Sequence, residues 1–185
     1  MMLQQQDRNY FGGYAPDFEL PGTDSQVHHL ARYLESFQVV AVVFLGNRCP
    51  QVNLYLERLK QIQTDFSKQG FTLIGINAND VDQVPEDSFE MMKKFAAQKQ
   101  LNFPYLWDPS QDVALCFDAK VTSEVFLLNA QGVICYRGAI DDCPEKPDLV
   151  KRNYLRDNIV TLLQGESMVH KTTNVTGCDL KWRNK

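Results

Sequence analysis

The sequence predicts one α/β domain with a mixed central β-sheet flanked by helices. Three observations carry this. Residues 39–45, Val-Val-Ala-Val-Val-Phe-Leu, are wholly apolar, as in a strand buried on both faces. A helical stripe follows and leads to a second such run, Phe71 to Asn77, which implies a right-handed parallel crossover. Later, Glu124–Leu128 and Val133–Arg137 flank Asn129-Ala130-Gln131-Gly132 and predict an antiparallel hairpin.

Residues 1–14 read as a loosely packed arm, and 15–185 as the single domain. Ala15–Leu20 is extended, Pro21-Gly22-Thr23-Asp24 supplies turn chemistry, Val27–Leu30 returns as a strand, and a short helix reaches Phe37. The stripe Val52, Tyr55, Leu56, Leu59, Ile62, Phe66 predicts a helix from Pro50 to about Gln69, ended by Gly70. Residues 78–100 form an insertion containing a helix from Glu86 to Gln100. A strand at Phe103–Trp107, a short helix at Gln111–Phe117, the hairpin, an acidic loop from Ala139 to Pro147, a last helix from Asp148 to Gln164 and a tail complete the chain.

With 185 residues, 44% hydrophobic, one real core is affordable. A formal charge of −4 with scattered basic residues argues against nucleic acid or an anionic membrane surface as partner. The polar start, and the lack of a run near the ~20 apolar residues of a membrane span, predict a soluble cytoplasmic protein. Neither the five widely spaced cysteines nor the three histidines suggest a metal site, and no cofactor is expected.

Chemistry concentrates at Gly46-Asn47-Arg48-Cys49-Pro50, between the first buried strand and its helix. Proline suits the first helical position, which makes Cys49 the N-cap. Free N–H groups, the helix dipole and Arg48 would then favour its thiolate. A bland reading stands beside this one: Cys49 is buried and inert. Cys116 and Cys135 are expected in the core. Cys143, in the acidic loop, and Cys178, in the tail, are candidate partners for Cys49, with Cys143 preferred because its loop reads as mobile, whereas Leu180 and Trp182 read as anchors of the tail. Asp141, Asp142 and Glu145 are expected to be solvated.

Several stretches resemble the thioredoxin-like proteins of the alkyl hydroperoxide reductase/thiol-specific antioxidant (AhpC/TSA, redoxin) family. They are Ala15-Pro16-Asp17-Phe18, Asn47-Arg48-Cys49-Pro50, Ile76-Asn77-Ala78-Asn79-Asp80, Phe103-Pro104-Tyr105-Leu106-Trp107-Asp108, Tyr136-Arg137-Gly138 and Gly177-Cys178 with Lys181-Trp182, in the family's order. The resemblance implies a thioredoxin-like fold, peroxiredoxin-like redox chemistry through Cys49, and antioxidant activity. Peroxide, a thiol or disulfide protein, or glutathione would be the partner. Two departures bear on function. The C-x-x-C of thioredoxin-type members reads Gly46-Asn47-Arg48-Cys49, and the threonine of the peroxiredoxin P-x-x-x-T-x-x-C is Gly46. The facing loop, usually Thr-Pro with a cis proline, reads Thr122-Ser123, whose bond is expected to be trans. These losses leave two functions open: a redox protein using the single thiol of Cys49, or a degenerate module that binds or regulates a protein partner. On this reading Gly46→Cys with Ser123→Pro would rebuild a dithiol turn.

Overall fold

The computed structural model describes residues 12–168 and 170–184. Its elements are β1 (Glu19–Pro21), β2 (Val27–His29), α1 (Leu30–Ser36), β3 (Val39–Phe44), α2 (Pro50–Phe66), β4 (Phe71–Asn77), α3 (Phe89–Gln98), β5 (Tyr105–Trp107), α4 (Asp112–Cys116), β6 (Val125–Asn129), β7 (Ile134–Gly138) and α5 (Tyr154–Leu163). β1 and β2 form a small antiparallel hairpin. The other five strands make one sheet in the order β5-β4-β3-β6-β7. β3, β4 and β5 are parallel, whereas β6 and β7 run antiparallel to their neighbours.

β3 is central, which is why its run has no polar residue: every side chain is buried. Val39, Ala41 and Val43 join the core beneath α2, α3 and α5, and Val40, Val42 and Phe44 join the opposite core with Leu30, Ala114 and Phe117. The expected stripe of α2 is its buried face. The helix gives way to a 3₁₀ turn at Ser67–Gln69, and Gly70 closes it at φ 89°. Among the described residues no helix is long and apolar enough to cross a membrane.

Several elements differ from expectation. Residues 12–15 pair along the β6–β7 hairpin, with the Gly12 N–H donating to the Ile134 carbonyl (3.0 Å) and the Ala15 N–H to Gly132 (2.8 Å). This part of the expected loose arm is attached; 1–11 lie outside the described residues. The insertion helix starts at Phe89, because Pro85–Asp87 forms a 3₁₀ turn and the Asp87 carboxylate is engaged elsewhere. The last helix starts six residues late, at Tyr154. The Asp142 carboxylate accepts the N–H groups of Lys151 (2.9 Å) and Arg152 (3.2 Å), which holds that stretch against the acidic loop. Cys116 is exposed rather than in the core, since the short α4 turns only Ala114 inward. Cys135, on the edge strand β7, is half-buried, and burial pushes its thiol pKa up.

The acidic loop is not wholly solvated. Asp141 is 4% exposed and is held by the Arg58 Nη1 at 2.5 Å, by the Tyr55 hydroxyl at 3.1 Å and by the Cys143 N–H at 2.9 Å. Arg58 also donates to the carbonyls of Cys143 and Pro144. Removing one partner of such a pair leaves a buried charge alone. Arg58→Ala should therefore destabilise the domain by about 3 kcal/mol, read by urea unfolding. A change within ±0.5 kcal/mol, the level of an ordinary surface site, would contradict the pair's assigned role.

Candidate active site

β3 delivers the chain to Gly46, whose carbonyl accepts the Cys49 N–H at 3.2 Å. Cys49 has extended backbone angles (φ −69°, ψ 121°) and is the N-cap of α2, with Pro50 in the first turn. Asn53 Nδ2 donates to the carbonyls of Asn47 and Cys49 (3.1 Å each), closing the turn onto the helix. Cys49 is 5% exposed and is disulfide-bonded to Cys178, with Cα atoms 5.9 Å apart. Of the two sequence candidates the structure therefore joins Cys178, the second-ranked one. Cys143 is a free thiol, and its loop is pinned by Arg58 and Asp141 instead of swinging over the turn.

The tail reaches Cys49 by a definite path. Residues 171–173 run beside β7: the Arg137 N–H donates to Lys171 O (3.0 Å), and the Thr173 N–H to Arg137 O (3.2 Å). The chain then crosses to the loop before β6. There the Thr122 N–H donates to Cys178 O at 2.8 Å, the Leu180 N–H to Lys120 O at 2.9 Å, and Val121 and Asp179 form an antiparallel bridge. Leu180 is buried in the second core. Trp182, the other expected anchor, is 37% exposed, and its carbonyl accepts from Gln83 Nε2 at 2.5 Å.

Gly177 lets this pairing happen. A Cβ there would lie 2.0 Å from the Thr122 carbonyl oxygen, a backbone atom that cannot step aside. No described peptide bond is cis, and Ser123 sits at φ 67° with its N–H donating to Phe44 O at 2.6 Å. Proline can neither take that φ nor donate that bond, so Ser123→Pro does not rebuild the site. Gly46→Cys is obstructed too, because its Cβ would approach Asn79 Nδ2 to 2.8 Å. The Ser123 hydroxyl is buried without a hydrogen-bond partner among the described residues and borders a cleft of about 550 Å³ shared by Tyr55, Ile140, Asp141, Tyr154 and residues 172–176.

Sequence reasoning missed the polar ring beneath the turn. The Asn47 N–H donates to Asp87 Oδ1 (2.7 Å), Asn79 Nδ2 to Asp87 Oδ2 (2.7 Å), the Asn79 N–H to Asn77 Oδ1 (3.0 Å), Asn77 Nδ2 to the Tyr105 oxygen (3.0 Å), and the Tyr105 O–H to Asn47 Oδ1 (2.9 Å). Burial, with Asp87 nearby, pushes the Tyr105 pKa well up, so the phenol keeps the proton it donates. The available signal was a run of amides just past a buried parallel strand, where sites of open α/β sheets lie. Arg48 is 71% exposed and pairs with Glu86 at 3.1 Å, so its charge is shared with a carboxylate rather than reserved for Cys49.

The AhpC/TSA family model matches residues 11–140. Among solved structures, an uncharacterised conserved protein from Geobacillus kaustophilus is 32% identical, with a TM-score of 0.87 over 95% of this chain and 93% of its own. A hypothetical protein from Sinorhizobium meliloti is 31% identical, with a TM-score of 0.85 over 95% and 96%. Peroxidoxin BcpB from Mycobacterium tuberculosis, 17% identical, shares the thioredoxin-like fold, with a TM-score of 0.65 over 84% of this chain and 97% of its own. No curated protein matches the chain at a significant level.

The glycine constraint generates a prediction. Gly177→Ala should lift the tail off Thr122 and leave the Cys49 and Cys178 thiols open to alkylation under mild oxidation that closes the wild-type disulfide. Closure at the wild-type rate would show that the contact does not govern tail docking.

Proposed function

The chain belongs to the AhpC/TSA family, and from that premise we propose that it is a thiol-based redox protein whose working couple is Cys49 and Cys178. The observation that carries this reading is the pairing of an N-cap cysteine with a cysteine held opposite it by backbone hydrogen bonds. In the reduced state the Cys49 thiolate faces the N-terminus of a 17-residue helix, where N–H groups and the dipole favour negative charge. Attack on a hydroperoxide breaks its O–O bond and gives Cys49 sulfenic acid and an alcohol. The Cys178 thiol then displaces water to form the disulfide. With a disulfide substrate, Cys49 first forms the mixed disulfide, and Cys178 displaces the second thiol. A thiol donor such as glutathione or a dithiol protein returns both cysteines to the reduced state, releasing its own disulfide. During that return the donor meets Cys178, the less buried residue of the pair, and Cys49 leaves toward the helix N-terminus. The turn itself has no second thiol, so Cys178 supplies from the tail what C-x-x-C supplies within one helix turn.

A second reading is supported by the burial of Cys49 and the strapping of the tail: a catalytically silent module in which the disulfide fixes a surface for a protein partner. Redox titration separates the two. The redox reading expects native disulfide opening by millimolar dithiothreitol, reclosure with peroxide or oxidised glutathione, and loss of reclosure in Cys178→Ser, with Cys49 then trapped as a glutathione adduct or overoxidised. A disulfide that opens only in denaturant would overturn it and leave the module.

A further inference from the structure

The polar ring under the active-site turn has one member that also holds the tail. Asn79 donates from Nδ2 to Asp87 Oδ2 (2.7 Å), and its Oδ1 accepts the Lys181 N–H (2.9 Å). Next to it, the Asp80 N–H donates to the Lys181 carbonyl (2.8 Å). Lys181 is thus bracketed through both backbone groups. The other oxygen of Asp87 accepts the Asn47 N–H at 2.7 Å. The path runs from Asn47, two residues before Cys49, through Asp87 and Asn79 to Lys181, three residues after Cys178. None of these bonds involves sulfur, so breaking the disulfide removes none of them directly.

We propose that Asn79 is a positioning residue that keeps the Cys178 strand against the Cys49 turn in the dithiol state, so that the disulfide closes from a preassembled geometry. This rests on the Cys49–Cys178 couple proposed above. Two thiols held near contact behave as though present at a very high mutual concentration, and loosening either one lowers it. Asn79 suits this task because it is an amide: one end must donate to a carboxylate and the other must accept from the backbone. A carboxylate could only accept, and an aliphatic side chain could do neither. The neighbouring charged groups are already paired, Asp80 with Arg183 (3.8 Å) and Glu86 with Arg48 (3.1 Å), so they do not substitute for it.

The test is equilibration of the full-length protein with mixtures of reduced and oxidised glutathione. In that exchange the two protein thiols give up two electrons to one oxidised glutathione, forming the protein disulfide and two reduced glutathiones. The ratio yields the effective concentration of Cys178 toward Cys49. Asn79→Ala removes both side-chain bonds and should lower it roughly tenfold or more, while thermal unfolding of the reduced protein still shows one cooperative transition. Asn79→Asp keeps the acceptor for Lys181 but sets a carboxylate against Asp87. Relative to wild type at each pH, its effective concentration should be depressed at pH 8 and recover toward pH 5, where a proton shared by the two carboxylates replaces the lost N–H donor. Among the described residues Tyr105 is coupled to Asp87, and the Asp80–Arg183 and Glu86–Arg48 pairs lie on the same segments; wild type carries them all, so the ratio isolates the new carboxylate. Wild-type values for both variants, with the wild-type protein cycling normally, would overturn the role of Asn79 and leave the couple intact. A wild-type protein that does not equilibrate with glutathione would instead strike at the couple itself. If Asn79→Ala fails to fold, the pH dependence of Asn79→Asp decides alone.

Discussion

The site depends on how closely the tail backbone approaches the loop before β6. At Gly177 the chain lies so near the Thr122 carbonyl that no side chain fits. That closeness allows the Thr122 N–H to reach the Cys178 carbonyl, and the pairing through Asp179 and Leu180 follows in register. Leu180 then enters the second core with Phe18, Leu20 and Phe117, so the disulfide contact is supported by ordinary apolar burial. The tail is thereby tied to the sheet and the loop before β6, and its cysteine is delivered by a strand-like segment.

The partner surface is equally fixed. Cys49 sits where β3, buried on both faces, hands over to α2, and Pro50 and Asn53 restrain the first turn. The amide ring below anchors Asn47 to β4, β5 and the segment before α3. Two rigid halves meet at the sulfur atoms. This is what a site with one cysteine per segment requires, because neither half can compensate for misplacement of the other. The residues at positions 46 and 123 are each matched to their own surroundings. Asn79 fills the space beside Gly46, and Ser123 takes a left-handed conformation that proline cannot reach.

Much of this was legible in the chain. Periodicity gave the order of strands and helices, since an apolar run such as Val39–Leu45 has few alternatives once a proline-started helix follows it. The N-cap position of Cys49 came from the Cys-Pro step alone. The choice between Cys143 and Cys178 was not readable in the same way. Acidic loop composition suggested mobility, but Arg58, more than eighty residues earlier, neutralises and pins that loop. The tail looked able to approach but fixed by its anchors, whereas its anchorage is what brings Cys178 to the turn. Cys116 and Trp182 were misjudged for a related reason: local apolarity does not say which side of a five-residue helix or an edge segment faces inward. Long-range partners such as Asn79 and Lys181, 102 residues apart, have no local signature at all.

The disulfide spans 129 residues, nearly everything from the first turn of α2 to the tail. Closing so large a ring removes conformations from the unfolded chain, which by loop entropy amounts to about 5 kcal/mol of added stability. Thermodynamic reciprocity makes the same quantity act in the other direction. However much the bond stabilises the fold, the fold favours the bond by that amount over the same two thiols in a disordered chain. The oxidant strength of the couple and the resistance of the protein to unfolding are therefore one variable seen from two sides. Any change that loosens the tail shifts both together, and the oxidised and reduced proteins differ in lifetime as well as in chemistry.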